Sequence, residues 1–265
     1  MKIHIFHLFT CVGDGNRIIS GSEDTTVCLW DLKKAPQGQV QVDAHTIFTG
    51  HTDVVEDVAW HSRDPNLIGS VGDDRAIMLW DVRTENSKKD DKSCNQATHT
   101  IANAHAGDIN GIAFNPVNEF LFATSSADKT VALWDARNLK SRIHSLRGHT
   151  DQVFQVDWCP FNESVLASCS ADRRVNVWDL SRIGQEQSPE DAEDGPPELL
   201  FVHGGHTSKV SDFTWCNDSE YEWMIGSVAE DNILQIWQMC EEIYAGDDED
   251  DDEGDGDALK PDELE

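Results

Sequence analysis

Long apolar runs are missing from this chain. None of its hydrophobic stretches approaches the roughly 18 residues that a helical membrane span requires, so no membrane partner is expected. Basic residues are also scarce: 20 lysines and arginines stand against 50 aspartates and glutamates, for a formal charge of −30. A surface that acidic repels phosphate backbones and draws basic partners, which argues against direct nucleic-acid binding. The seven cysteines, no two of them closer than ten residues, offer no zinc or redox motif and read as free thiols of a reducing compartment. The opening Met1–Phe9 is too short and too interrupted for a secretory leader, and its alternation suits a strand.

What the chain does have is a repeat. Four stretches end alike, at Met78-Leu79-Trp80-Asp81, Ala132-Leu133-Trp134-Asp135, Asn176-Val177-Trp178-Asp179 and Leu234-Gln235-Ile236-Trp237. Their tryptophans follow His51, His105, His149 and His206 by 29, 29, 29 and 31 residues. A fifth ending, around Trp30, has no such histidine. Aligned on the tryptophans, an aspartate stands six residues earlier (Asp24, Asp74, Asp128, Asp172, Asp231) and a hydroxyl ten earlier (Ser20, Ser70, Thr124, Ser168, Ser227). An aromatic follows each histidine by nine: Trp60, Phe114, Trp158 and Trp215.

Self-similarity of this period, with a Gly-His…Trp-Asp signature, predicts an all-β fold, a WD40 β-propeller in which each repeat supplies one four-stranded blade. In the second unit Val54–Trp60, Leu67–Val71 and Ala76–Trp80 read as strands, with Gly72-Asp73-Asp74 as a turn. Outer strands are expected at Thr46–Phe48, Thr100–Ile101, Ile143–Ser145 and Leu199–Val202. The expected division is a partial first blade over 1–48, four blades over 49–245, and a disordered acidic tail over 246–265. From Glu241 onward, 14 acidic residues and one lysine carry −13 of the −30.

The Ser/Thr, His, Asp and Trp set resembles a nucleophile–base–acid triad, yet a triad occurs once per site and this set recurs at constant offsets. The expectation is four structural quartets, Ser70/His51/Asp74/Trp80, Thr124/His105/Asp128/Trp134, Ser168/His149/Asp172/Trp178 and Ser227/His206/Asp231/Trp237, in which buried polar groups satisfy one another. No catalytic residue, cofactor, metal or small-molecule substrate is expected. His203-Gly204-Gly205-His206 is a metal motif in appearance only, with no cysteine or carboxylate cluster beside it.

Two segments break the repeat. Thr84–Thr98 is polar, with mixed charge, and reads as a solvated loop. Gly184–Glu198 is acidic and proline-stiffened, and a loop of that length in a compact domain is functional or disordered.

Gly50–Trp60, Ser126–Asp135 and above all Ser188–Leu200, which reads Ser-Pro-Glu-Asp-Ala-Glu-Asp-Gly-Pro-Pro-Glu-Leu-Leu, resemble the histone-binding WD-repeat family. These are the retinoblastoma-binding proteins, or the small subunit of chromatin assembly factor, and the likeness runs from Gly50 to Tyr244. The resemblance implies a non-catalytic, nuclear, seven-bladed scaffold. It would bind core histones and serve chromatin assembly, deacetylase/remodelling and Polycomb complexes. It also implies a side groove for a histone helix, walled by the loop bearing Glu190, Asp191, Glu193, Asp194, Pro196 and Pro197, and an acidic top face contacting a histone tail or similar basic peptide through Glu56, Asn110, Phe154 and Glu230.

Clustered carboxylates beside stiff prolines suit arginines, and carboxylates around one aromatic suit a lysine- or arginine-bearing peptide. Four full units and one partial unit stand against the expected seven, and neither two N-terminal blades nor the family's N-terminal helix has a counterpart in this sequence. Histone-helix binding is therefore expected to be weakened or lost relative to a complete family member, with tail binding surviving in part. A generic WD-repeat adaptor, such as a ubiquitin-ligase substrate receptor, is the second reading.

Overall fold

Five antiparallel sheets follow one another along the chain. The computed structural model describes residues 15–34, 42–83 and 96–244, together with the backbone of a strand at 5–10. The first sheet joins β1 (Ile5–Thr10), β2 (Arg17–Ser22), β3 (Thr26–Asp31) and β4 (Thr46–Thr49) in that order. The second joins β5 (Val55–Trp60), β6 (Leu67–Gly72), β7 (Ile77–Asp81) and β8 (His99–Ile101). The third holds β9 (Ile109–Phe114), β10 (Leu121–Ser126), β11 (Thr130–Asp135) and β12 (His144–Arg147). The fourth holds β13 (Val153–Trp158), β14 (Val165–Ser170), β15 (Val175–Asp179) and β16 (Leu199–His203). The fifth has only β17 (Val210–Trp215), β18 (Met224–Ala229) and β19 (Leu234–Gln238).

No outer strand was expected after Trp237, and none is found among the described residues. The unit expected to be partial, 1–48, carries four strands, because β1 pairs along β2 with Leu8 opposite Ser20 and Thr10 opposite Ile18. The last unit stops at three among the described residues. Past Trp237 the chain offers Glu241–Tyr244, a helical turn α2, in place of an apolar outer strand. The acidic tail at 246–265 and most of the Thr84–Thr98 loop lie outside the described residues.

Successive sheets stack through one recurring apolar contact. Alternation along the third strand sends two residues toward the next sheet, where its inner strand covers them. Val27 and Leu29 lie with Val55, Val58 and Trp60. Val175 and Val177 lie with Val210, Phe213 and Trp215. The middle two interfaces repeat the arrangement. Inner strands β1, β5, β9, β13 and β17 therefore neighbour one another in series, and among the described residues no comparable packing runs from β17 back to β1, so the sheets form an open arc. Polar ties run between the same sheets: Trp158 Nε1 donates to the Ala113 carbonyl at 3.0 Å, and the Ile112 N–H donates to Asp57 Oδ2 at 2.9 Å.

The turn before each third strand explains its aspartate. The carboxylate accepts the N–H two residues on, as from Ala76 to Asp74 at 3.0 Å and from Arg174 to Asp172 at 3.0 Å. The residue between is left-handed in all five turns: Thr25, Arg75, Lys129, Arg173 and Asn232 have φ of 59–72°. A non-glycine residue there costs about 1 kcal/mol. Arg173 is exposed, so Arg173→Gly should raise stability by about 0.5–1 kcal/mol in thermal or urea unfolding.

Candidate functional site

Three of the polar quartets form the same directed chain of hydrogen bonds. Trp80 Nε1 donates to Ser70 Oγ at 2.8 Å, Ser70 Oγ and His51 Nε2 are 2.7 Å apart, and His51 Nδ1 and Asp74 Oδ2 are 2.9 Å apart. A carboxylate only accepts, so His51 Nδ1 carries the proton and Nε2 accepts from the serine hydroxyl. Trp134, Thr124, His105 and Asp128 repeat this at 2.8–3.0 Å, as do Trp178, Ser168, His149 and Asp172. Each aspartate oxygen takes a second donor, the N–H of the residue after the histidine, at 3.0 Å. Burial opposes ionisation of Asp74, Asp128 and Asp172, but hydrogen bonds from the histidines and N–H groups outweigh it and hold all three below the usual carboxylate range. The four quartet hydroxyls are fully buried, out of reach of any substrate.

The fourth quartet is incomplete. Trp237 Nε1 donates to Ser227 Oγ at 3.1 Å and His206 Nε2 lies 2.7 Å from it, but His206 Nδ1 is buried without a partner. Asp231 instead accepts from the Thr207 hydroxyl at 2.7 Å. The longer spacing, 31 residues rather than 29, is the sequence feature that accompanies this difference. Burial, then the charge of His203, lowers the His206 pKa and favours its neutral ring. The His203 ring stacks on Trp237 with centroids 4.2 Å apart, and its Nε2 lies 2.8 Å from Gln235 Oε1.

A different set of residues meets at the inner end of the arc. A concavity of about 640 Å³ is lined by Glu56, Asp73, Asp108, Asn110, Phe154, Gln155, Ser211, Asp212 and Glu230. The four residues assigned to a peptide-binding top face, Glu56, Asn110, Phe154 and Glu230, all lie in this lining. They come from four different sheets. Glu56, Asn110 and Phe154 stand at the second position of their inner strands, and Glu230 just precedes a turn aspartate. Asp108 and Asp212 bring the carboxylates to five, and among the described residues no lysine, arginine or histidine lines the space. Sequence alone did not single out these two: Asp108 is acidic in one repeat only, and Asp212 shares its position with Asp57 but with Gly111 and Gln155 in the other two. Burial raises the Asp73 pKa and the neighbouring Asp108, Asp53 and Asp74 add to it, which is the signature of unneutralised negative charge. Asn110 also serves the frame: its Nδ2 donates to the Val153 carbonyl at 2.7 Å.

The acidic insert lies apart from that lining. Ser188 Oγ accepts from the Asp191 N–H at 3.1 Å and donates to Asp191 Oδ2 at 2.8 Å, starting a helical turn α1 (Asp191–Asp194) that the sequence did not suggest. Glu190, Asp191, Glu193 and Asp194 are exposed, while Pro196 and Pro197 are half-buried. Gly195, at φ 144°, makes the bend; a Cβ there would lie 2.7 Å from the Leu199 side chain. The anchor is Glu198, which the sequence reading left without a role. It is buried, and its Oε1 lies 2.9 Å from His144 Nε2 on the preceding sheet's outer strand.

Two family models match the chain. One, described as EIPR1 beta-propeller, matches residues 13–178. The other, described as WD domain, G-beta repeat, matches residues 197–238.

Behind the concavity, burial pushes Asp157 up to about 7, against a hydrogen bond from the Trp158 N–H and with added repulsion from Asp212 and Asp57. An aspartate raised in this way destabilises the fold once ionised. The cost is absent below the unfolded carboxylate value of about 4, grows with pH, and is complete above about 7. Asp157→Asn should therefore stabilise the protein by roughly 2–4 kcal/mol at about pH 8.5 and by much less at about pH 4.5, read as the difference in unfolding free energy between the two chains.

Proposed function

Because this chain belongs to the EIPR1-type β-propeller family of WD-repeat proteins, we propose that it is a non-catalytic scaffold whose acidic concavity holds a basic peptide. The observation that carries this reading is the lining itself, five carboxylates and one phenylalanine around a space with no cationic side chain among the described residues. A lysine or arginine entering it would relieve the mutual repulsion of the carboxylates, and its stem could lie on Phe154. The ligand class proposed is a core-histone tail. The resemblance of Ser188–Leu200 to the histone-binding WD-repeat proteins supports that choice, as does the exposed charge of Glu190, Asp191, Glu193 and Asp194. On this reading the chain acts in the nucleus, as a subunit shared by chromatin assembly, deacetylase/remodelling and Polycomb complexes.

The two acidic surfaces would play separate parts. The concavity takes an extended tail, whereas the insert offers one wall to a basic helix. Partially exposed ion pairs are each worth about 0.5–1 kcal/mol. Glu56→Gln with Glu230→Gln should thus weaken a histone-tail peptide by roughly fivefold to tenfold in calorimetric titration. Replacing the four insert acids by serine should leave tail affinity unchanged and reduce binding of a histone-helix peptide. Tail affinity indifferent to Glu56 and Glu230 would refute the assignment of the concavity and leave the generic adaptor reading.

A further inference from the structure

Just past each inner strand, one residue ties its sheet to the next through a side chain with two polar ends. His61 Nδ1 accepts the N–H groups of Arg63 and Asp64 at 3.2 and 2.9 Å, and its Nε2 donates at 2.7 Å to the Glu119 carbonyl, in the loop after β9. Asn115, at the same position, accepts from the Val117 and Asn118 N–H groups at 2.9 and 2.8 Å. Its Nδ2 donates at 2.8 Å to the Glu163 carbonyl, in the loop after β13. The fourth sheet has Cys159 there. Its sulfur takes the Phe161 and Asn162 N–H groups, so its own loop is capped in the same way. A thiol carries no second polar atom to send across, and the tie to the fifth sheet is missing.

The same interface holds a carboxyl group where the others hold a methyl. Ala59, Ala113 and Asp157 share a register position, opposite Gly69, Ala123 and Ala167. Ala59 packs between the second and third sheets, and Ala113 between the third and fourth. Ala167 lies between the fourth and fifth with Val210, Phe213 and Trp215, and Asp157, directly across the ladder from it, projects to the same side. The titratable groups acting around it are Asp212 on β17, Asp57 on β5 and the thiol of Cys159, with Cys169 of β14 buried in the same interface. Among the described residues no cation offsets them. The indole tie is longer here as well: Trp215 Nε1 reaches the Asp157 carbonyl at 3.3 Å, against 3.0 Å from Trp158 to Ala113.

We propose that the fifth sheet undocks from the fourth as a unit, with Asp157 as the switch, neutral when the interface is closed and ionised when it is open. Opening of one supersecondary unit below the global unfolding limit is a general property of folded chains. It would carry Ser211, Asp212 and Glu230 away from the rest of the concavity, so the switch regulates whether the acidic lining is assembled. The closed interface pushes the Asp157 carboxyl up to about 7, and in solvent it titrates near 4. Opening is thus insensitive to pH below about 4, rises by up to about tenfold per unit, and levels off above about 7.

Hydrogen exchange of the 265-residue chain, read by mass spectrometry as protection factors, tests this. Peptides from residues 210–229 should be about tenfold or more less protected than those from 109–135, which marks an opening separate from global unfolding. The protection of 210–229 in Asp157→Asn relative to wild type should grow by roughly 40-fold from about pH 5 to about pH 7. Cys159→Asn, which restores a side chain with two polar ends, should raise the protection of 210–229 by about fivefold at both pH values. Equal protection of 210–229 and 109–135 in the wild type would overturn the proposal, as would a ratio of Asp157→Asn to wild type that does not change with pH.

Discussion

The structure depends on a single apolar contact, made at each of its four internal interfaces. Two aliphatic side chains of a third strand lie under the aliphatic and aromatic side chains of the next inner strand, as Val175 and Val177 do under Val210, Phe213 and Trp215. Burying one such side chain is worth about 1.5–3 kcal/mol, against about 1 kcal/mol for a neutral hydrogen bond. Apolar burial therefore holds neighbouring sheets together. The polar ties between them, such as Trp215 Nε1 to the Asp157 carbonyl at 3.3 Å, set register and orientation, which a non-directional force cannot do.

The quartets work within a sheet. Each links the loop entering the inner strand to the turn before the third, through a buried hydroxyl that accepts from a tryptophan and donates to a histidine. The fourth quartet, with His206 Nδ1 unpartnered and Asp231 turned to Thr207, belongs to the fifth sheet, whose outer face has no neighbour among the described residues. Polar completeness and apolar coverage fall short in the same place.

Charge is arranged by this frame. Inner strands from successive sheets bring Glu56, Asp212 and the turn acids Asp73 and Glu230 around one space, although they are far apart in the chain. Their repulsion is tolerated because the strands beneath are fixed by burial and hydrogen bonds, and Asp73 registers it as a raised pKa. The insert follows another rule. Its four acids stay in solvent, and it is held at its end by Glu198 on His144, a pair separated by 54 residues that no local pattern marks.

The fixed offsets of histidine, aspartate, hydroxyl and tryptophan made the blades legible, since a polar group buried in every repeat needs the same partner at the same distance. The second position of each inner strand was legible for the same reason, which is why Glu56, Asn110 and Phe154 could be assigned to one face before any coordinates. Asp108 and Asp212 were not, because Asp108 is acidic in a single repeat and Asp212 alternates with Gly111 and Gln155, so neither leaves a clear periodic trace. By itself the sequence determined the strand order within each blade, the turns and the acidic character of the chain, all of which follow from contacts between residues close in sequence. Only the tertiary structure decided that the first sheet is a full one, that the carboxylates share a single concavity, and that Leu234 and Ile236 stay exposed among the described residues. Those outcomes depend on which distant strands pair and which face is left without a neighbour.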